Sequence, residues 1–500
     1  MKTKIRSHVL VNLIRTVTIT LLSFISFPFA AKALGDAGMG QYSWAHTFVN
    51  YFLILAKLGI PTLAIRECSK VKENQQLFNR KVQEFFFLQL VATLLSFIAM
   101  MIFVFTLPGP FTDVKMRSLI FLLSINFLVG AFSFEWVYLA LEKHYYIAFR
   151  SIVVLGISTL LIISFIKYDN QIYLYSLFTV SVTIMTAIAN IFLLRRQGVS
   201  LKPVGGYDFK SHLLDVVFIG FISLLITVYN ETDTFMLGFI DSEKSLVGSY
   251  SVGIRGIEIV ITIITSLAIV FIPVATEYFQ KGMKEQFKRL THYSFNIVLF
   301  IGVPAVVMMI LLAPEIVNFI VLDSNQYWSE QAIVNAQIAC VVLALMMLTY
   351  SLGDFIYMQV LLPMKKVRYY LLTLLGGVIF NLLFALLGAY VIFKDRPLLG
   401  VALAVTISDL LVVATLLFIT RQHTWKALCN LNSLKIVGVG FVLVIVNIFL
   451  LPLIKTSPLI KIALAILISG IIYVGLLLLL KEELITVFFQ IKKRPKIIKK

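Results

Sequence analysis

The sequence predicts an all-α polytopic membrane protein: about 14 transmembrane helices, forming two six-helix lobes in parallel pseudo-repeat plus a C-terminal helix pair. Three observations predict it. Hydrophobic residues make up 60% of the 500 and charged residues only 14%, whereas a soluble domain is about half apolar and a quarter charged. Mean hydropathy is +0.95. Apolar runs long enough to cross the hydrocarbon core recur along the whole chain, and short motifs of the first half return in order in the second.

The runs lie at 9–34, 41–65, 82–107, 117–141, 147–168, 171–194, 212–240, 246–276, 291–312, 332–360, 369–393, 397–420, 434–454 and 459–480. Basic residues orient them. With the N-terminus in the cytoplasm, the inner connections and tails hold 31 Lys and Arg and the outer loops 9. Arg15, Lys57 and Arg255 fall inside spans. A missed span would invert this alternation downstream. Both termini are therefore expected in the cytoplasm.

The first run resembles a signal peptide, with basic residues, an apolar stretch and an AxA-like "AKA". Arg15 interrupts it, and the chain inserts repeatedly afterwards. It is expected to be an uncleaved first span. Every loop is short. The longest outer one, near 313–331, has too few residues for a separate domain. The net charge of +18 sits on the inner side, so it predicts topology and anionic-lipid contact rather than nucleic-acid binding. The tail "IKKRPKIIKK" (491–500) fits that role. Cys68, Cys340 and Cys429 form no CxxC pair, and the six histidines show no ligand spacing. No metal, cofactor or enzyme motif is expected. "GDAGMG" (35–40) lies between two spans with no strand before it and no GK[ST], so a tight outer turn is expected rather than a phosphate loop. Pro28, Pro61, Pro273 and Pro304 lie within or near spans.

"GQYS" (40–43) returns as "GSYS" (248–251), "EWVY" (135–138) as "DFIY" (354–357), and "KHYY" (143–146) as "VRYY" (367–370). The order is kept and the offset is nearly constant. The repeating unit is six spans, an even number, so the halves share one orientation. This gives an N-terminal lobe at 1–200, a C-terminal lobe at 201–425, and an extra helix pair with a basic tail at 426–500.

These signatures carry a resemblance. "LGDAGMGQYSWAHTFVNYFLILAKLGIPTLAIRE" (34–67), "FEWVYLALEKHYYIAFRSI" (134–152) and "TDTFMLGFI…VGSYS" (232–251) resemble the polysaccharide-repeat (O-antigen and capsule) flippases of the multidrug/oligosaccharidyl-lipid/polysaccharide exporter superfamily. The resemblance spans about residues 8–420. It implies two lobes around a central cavity. It also implies movement of undecaprenyl-diphosphate-linked oligosaccharide from the inner to the outer leaflet of a bacterial plasma membrane. Membrane lipids, a glycan polymerase and glycosyltransferases are the implied partners. The fourteen spans also resemble the lipid II flippase branch.

Charges inside spans are costly and face a bundle interior or aqueous cavity. Arg15, Lys57 and Arg255 could hold a lipid diphosphate by charge-assisted hydrogen bonds, and the lipid II branch has basic residues in the corresponding spans. Snorkelling is the plain alternative for Arg15 and Lys57, and an i,i+3 pair with Glu258 for Arg255. Within "LLITVYNETDTFMLGFI" (224–240), Glu231 and Asp233 stand about 200° apart on a helix, too far round to share one narrow site. By the same resemblance Asp233, Asn381 and Thr406 are candidates for coupling to Na⁺ or H⁺. Glu135, Glu231, Glu258, Asp354 and Asp409 are expected as gate or structural acids. The rivals are a cation-coupled drug or metabolite exporter of the same fold, a lipid II flippase, a lipid scramblase, and a membrane-embedded glycan polymerase or ligase. The last would need a large catalytic outer loop.

Overall fold

The computed structural model describes residues 2–321 and 327–485. The tail 491–500 and Asp323 lie outside them. Among the described residues the chain is helical, with no strand. Twelve helical segments are long and apolar enough to cross a membrane, and a pair bent by 41°, Glu330–Leu343 with Met346–Leu361, makes thirteen. The first segment, Val11–Lys70, has 60 residues, about three times the length one crossing requires. It contains the first two expected spans, joined at Gly35 (φ 71°, ψ −177°). Counted as two, it restores the fourteen.

Gly35 is required there. Its φ is left-handed, and a Cβ would stand 2.3 Å from the Tyr327 carbonyl oxygen. The expected turn over 35–40 is corrected by this geometry. Only Gly35 leaves helical dihedrals, and the helix continues through Gly38 and Gly40. Residues 313–321 also form a helix where a loop was expected.

Packing divides the chain into two compact units. One contains the described residues of 1–251 and 323–332, the other those of 252–322 and 333–500. In the first, α1 (Lys2–Lys57) holds spans one and two, and the short α2 (Ile60–Lys70) follows. Next come α3 (Gln75–Thr106), α4 (Val114–Gly130), the short α5 (Glu135–Ala140), α6 (His144–Phe165), α7 (Ile172–Leu194) and α8 (Lys210–Ile240). The start of α9 (Ser245–Gln280) closes the unit. Expected span two, 41–65, is broken at Leu58 (φ 41°) and Gly59 (φ 70°), with Pro61 opening α2. Expected span four, 117–141, is broken before α5 at Phe134 (φ 47°). The two short helices share one core: Ile60, Leu63 and Ala64 of α2 cluster with Trp136, Val137 and Tyr138 of α5 and with Phe78 and Phe85 of α3. Gln83 of α3 donates to the carbonyls of Ser200 (2.7 Å) and Lys202 (2.6 Å), fixing the strap before α8.

α8 belongs to the first unit although it opens the second repeat. Trp44 donates to the Phe235 carbonyl at 3.0 Å, and its ring stacks on Phe235 at 5.9 Å. Gly238 makes room for it, since a Cβ there would meet the indole at 1.8 Å. Beyond α8, buried Lys244 donates to the carbonyls of Gly238 and Asp241 and lies over the Trp44 ring. Burial pulls its ammonium below the ordinary lysine range. Asp36 accepts hydroxyls from Ser245 (2.9 Å) and Ser329 (3.0 Å), and Trp328 donates to the Ala31 carbonyl (2.8 Å).

The second unit continues α9 and adds α10 (Lys284–Leu311), α11 (Ala313–Val321), α12 (Glu330–Leu343), α13 (Met346–Ile356), α14 (Val367–Leu387), α15 (Pro397–Ile419), α16 (Arg421–Leu428), α17 (Leu431–Leu450) and α18 (Pro458–Leu479). Pro273 and Pro304 lie inside α9 and α10, as Pro28 does inside α1. The C-terminal pair packs on α10 through Leu299, Val303, Ile436, Val439, Leu443 and Tyr473. Asn447 accepts from Ser469 at 2.9 Å within the pair, and Lys461 meets Glu315 at 2.6 Å.

Candidate functional site

One end of the first unit gathers charge where two span breaks meet. Lys57 is the last residue of α1, just before the break at Leu58 and Gly59. Glu135 is the first residue of α5, just after the break at Phe134. A carboxylate at a helix N-terminus is favoured by the exposed peptide dipoles. Arg15 of α1 reaches Glu135 Oε1 through Nη2 at 3.2 Å. Arg150 of α6 reaches Glu135 Oε2 through its own Nη2 at 3.0 Å. Lys57 is exposed and within electrostatic reach of Glu135.

Arg150 is the residue that sequence reading missed. It falls inside the apolar run 147–168, three residues from its edge. That position was the signal that could have found it. Its side chain is 4% exposed, against 24% for Arg15. Asn190 of α7 holds it: Arg150 Nη1 donates to Asn190 Oδ1 at 2.8 Å, beside the Tyr146 hydroxyl at 2.9 Å. Asn190 Nδ2 donates to the Ser133 carbonyl, and the Tyr138 hydroxyl donates to the Asn190 carbonyl at 2.6 Å. One buried amide thus ties α5, α6, α7 and the span break together.

The same framework recurs in the second unit. Tyr138 and Tyr146 pack at 4.8 Å between centroids, and their repeat counterparts Tyr357 and Tyr370 at 4.1 Å. Asp354, the counterpart of Glu135, stands near Tyr370, and Asp409 is buried in the same unit. Four residues after the second tyrosine stands Arg150 in one copy and buried Leu374 in the other. Gln359, in the π-helical turn after α13, is 1% exposed.

Arg255 lies in the second unit, paired with Glu258 one turn on at 3.0 Å, and both are exposed. The structure therefore joins Arg15 and Arg150 through Glu135, places Lys57 near them without an ion pair to it, and gives Arg255 a local partner.

Glu231 and Asp233 of α8 take separate partners. Glu231 accepts from Thr47 (2.6 Å) and Asn50 (3.0 Å) of α1. Asp233 is buried and accepts the hydroxyl of Tyr250, the tyrosine of the GSYS motif, and the amide of Thr234 at 2.8 Å. Tyr51 stands beside both acids. Asn381 and Thr406 are buried in the second unit. Asn381 Oδ1 has no hydrogen-bond partner, and the Thr406 hydroxyl lies 2.9 Å from the Ala402 carbonyl and 3.1 Å from that of Val342. Among the described residues no three His, Cys, Asp or Glu are grouped to hold a metal.

A family model described as "Polysaccharide biosynthesis protein" matches residues 5–279, more than half the chain. The chain belongs to the polysaccharide biosynthesis protein family. No curated protein matches it significantly. Among solved structures, the lipid II flippase MurJ in an inward closed conformation is similar at TM-score 0.64 and 16% identity, over 99% of each chain. An inward-facing multidrug resistance MATE family transporter of the MOP superfamily is similar at TM-score 0.62 and 15% identity, over 83% of this chain and 98% of that one. A MOP superfamily transporter from Pyrococcus furiosus, whose binding pocket is described as reversed in polarity, is similar at TM-score 0.57 and 15% identity, over 85% and 96%. At these identities the likeness is one of fold. This member of the family is a multi-pass membrane protein with a flippase-type transporter fold.

Proposed function

We propose that the protein flips an oligosaccharide linked to undecaprenyl diphosphate from the inner to the outer leaflet of a bacterial plasma membrane by alternating access. The observation that carries this reading is the gathering of Arg15, Lys57 and Arg150 around the single acid Glu135 inside apolar spans. Unbalanced positive charge is costly in a membrane, and a lipid diphosphate offsets that cost with charge-assisted hydrogen bonds. Sugars enter the protein while the polyprenyl tail stays in the bilayer. An inside-negative potential contributes about 2.3 kcal/mol per charge per 100 mV toward outward movement of the anionic head. Asp233 in the first unit is the proposed point of Na⁺ or H⁺ coupling that resets the empty carrier, and Asn381 and Thr406 are separate candidates in the second.

The test is translocation of purified lipid-linked oligosaccharide in proteoliposomes, with lipid II and a cationic drug as competing cargoes. Oligosaccharide translocation that depends on the protein supports the reading. Lipid II moved in preference would transfer the protein to the peptidoglycan precursor branch. Drug export alone would replace the reading with cation-coupled efflux.

A further inference from the structure

Glu135 uses its two basic partners unusually. It gives one oxygen to Nη2 of Arg15 and the other to Nη2 of Arg150. On a guanidinium, Nη2 and Nε form the edge that binds an oxyanion bidentately. Each edge is therefore half used. The other half of each, Arg15 Nε and Arg150 Nε, is buried with no hydrogen-bond partner. A buried donor without a partner costs about 1–3 kcal/mol, and here two such donors flank one carboxylate.

Charge leads the same way. Arg15 and Arg150, with Lys57 nearby, outnumber the one negative charge of Glu135. The resident acid therefore offsets only part of the positive charge gathered there. The second unit supplies the control. Its tyrosine pair recurs, with Leu374 in place of Arg150 and with the acid Asp354 inside α13 rather than after a break. A tyrosine pair therefore packs without a guanidinium beside it.

We infer that Glu135 is a resident counter-anion holding the place of a substrate phosphate, and that Arg150 is a further ligand of the diphosphate. This rests on the flippase reading. In the empty protein Glu135 neutralises part of the site. When a diphosphate arrives, its larger set of acceptor oxygens takes the full Nε/Nη2 edge of both arginines, and Glu135 is displaced. Glu135 can move because it follows a left-handed break at Phe134 and is 30% exposed. Exchanging one anion for another keeps the arginines paired throughout, which avoids leaving a buried cation bare. A monophosphate would have to share one of its three terminal oxygens between the two edges, whereas a diphosphate gives each edge its own pair, so the site favours diphosphate.

The test measures binding of farnesyl diphosphate and farnesyl monophosphate to the full-length protein in nanodiscs. The wild type should prefer the diphosphate. Glu135→Gln should bind it about tenfold more tightly, because the competitor is gone, while Glu135→Asp, which keeps the charge, should stay near wild type. Arg150→Lys keeps the charge but loses the planar edge, and should lose most of the preference for diphosphate. Equal affinity in wild type and a folded Glu135→Gln overturns the inference. If that variant does not fold, Arg150→Lys decides: full preference retained overturns it, and preference lost supports it. Translocation of lipid-linked oligosaccharide by the wild type is measured alongside. Translocation without these affinity changes removes this inference and leaves the proposed function. The affinity changes without translocation do the reverse.

Discussion

Gly40 and Gly248, the equivalent glycines of the two Gly-x-Tyr-Ser motifs, pack directly against each other's chain. A Cβ on Gly40 would stand 1.7 Å from the Lys244 carbonyl oxygen and 2.9 Å from the Gly248 amide nitrogen, and a Cβ on Gly248 would stand 2.0 Å from the Asp36 carbonyl oxygen. The obstacles are backbone atoms, which cannot swing aside. Gly40→Ala and Gly248→Ala should each destabilise the protein by about 3 kcal/mol or more. Gly156→Ala in α6, where a Cβ meets nothing within 4 Å, should stay within about 1 kcal/mol of wild type. Thermal unfolding in detergent separates them. Equal melting temperatures for all three would mean the close crossing is not maintained.

Asn190 joins Arg150, Tyr146 and the Ser133 carbonyl through one side chain. Asn190→Ala leaves several buried groups unpaired at once and should cost roughly 2–4 kcal/mol. Asn190→Asp adds a charge partner for Arg150 and should retain more stability. The check is the same melting experiment, and a harmless alanine would show that the network is not tight.

Arg15→Ala and Lys57→Ala should reduce glycan export at least tenfold at unchanged membrane levels, with the Lys or Arg swap at each position retaining more, since about 1.4 kcal/mol of lost head-group binding is enough. Arg255→Ala should be milder, because its charge is already met by Glu258. Surface glycan is the readout. Wild-type export by the first two variants rejects the basic site.

Asp233→Asn keeps the oxygen that accepts from Tyr250 but cannot ionise. It should insert normally and lose transport driven by an imposed Na⁺ or proton gradient. Glu231→Gln should instead loosen the join to Thr47 and Asn50, lowering the melting temperature with less effect on the gradient response. If Asp233→Asn transports normally under both gradients, the acid is structural.

Reporter fusions at Lys72, Lys202 and Lys284 should register cytoplasm, and fusions at Asp113 and Asp241 the outside. Asp323 shares that expected outer side but lies outside the described residues. A reversal persisting downstream would remove the fourteen-span topology.

Span number was legible because hydropathy and basic-residue bias report the same quantity, the repeated crossing of an oily layer. Breaks within spans were less legible. Gly59 with Pro61 carries a local signal for one, but Phe134 carries none, since an aromatic residue at φ 47° is chosen by the packing around it. The acids and bases were legible as costly residues, not as partners. Nothing in the sequence joins Arg15 to a carboxylate 120 positions away. Arg150 escaped because it stands at the edge of an apolar run, where a loop charge and a buried charge read alike. The repeat was visible as motifs, but its use was not: the tyrosine pair recurs while the guanidinium beside it does not.

The first packing unit is not the first repeat. It borrows α8, the start of α9 and residues 323–332. During synthesis, the Trp44 indole N–H, Thr47 and Asn50 therefore wait for the hydrogen-bond acceptors of Phe235 and Glu231, and the Ala31 carbonyl waits for Trp328. At about 5–20 residues per second, the 191 residues between Trp44 and Phe235 keep polar groups of α1 uncovered for about 10–40 s. A nascent chain stalled before α8 would be an unfinished bundle rather than a half-transporter, and it would be open to membrane proteases and insertion chaperones until the following helices arrive.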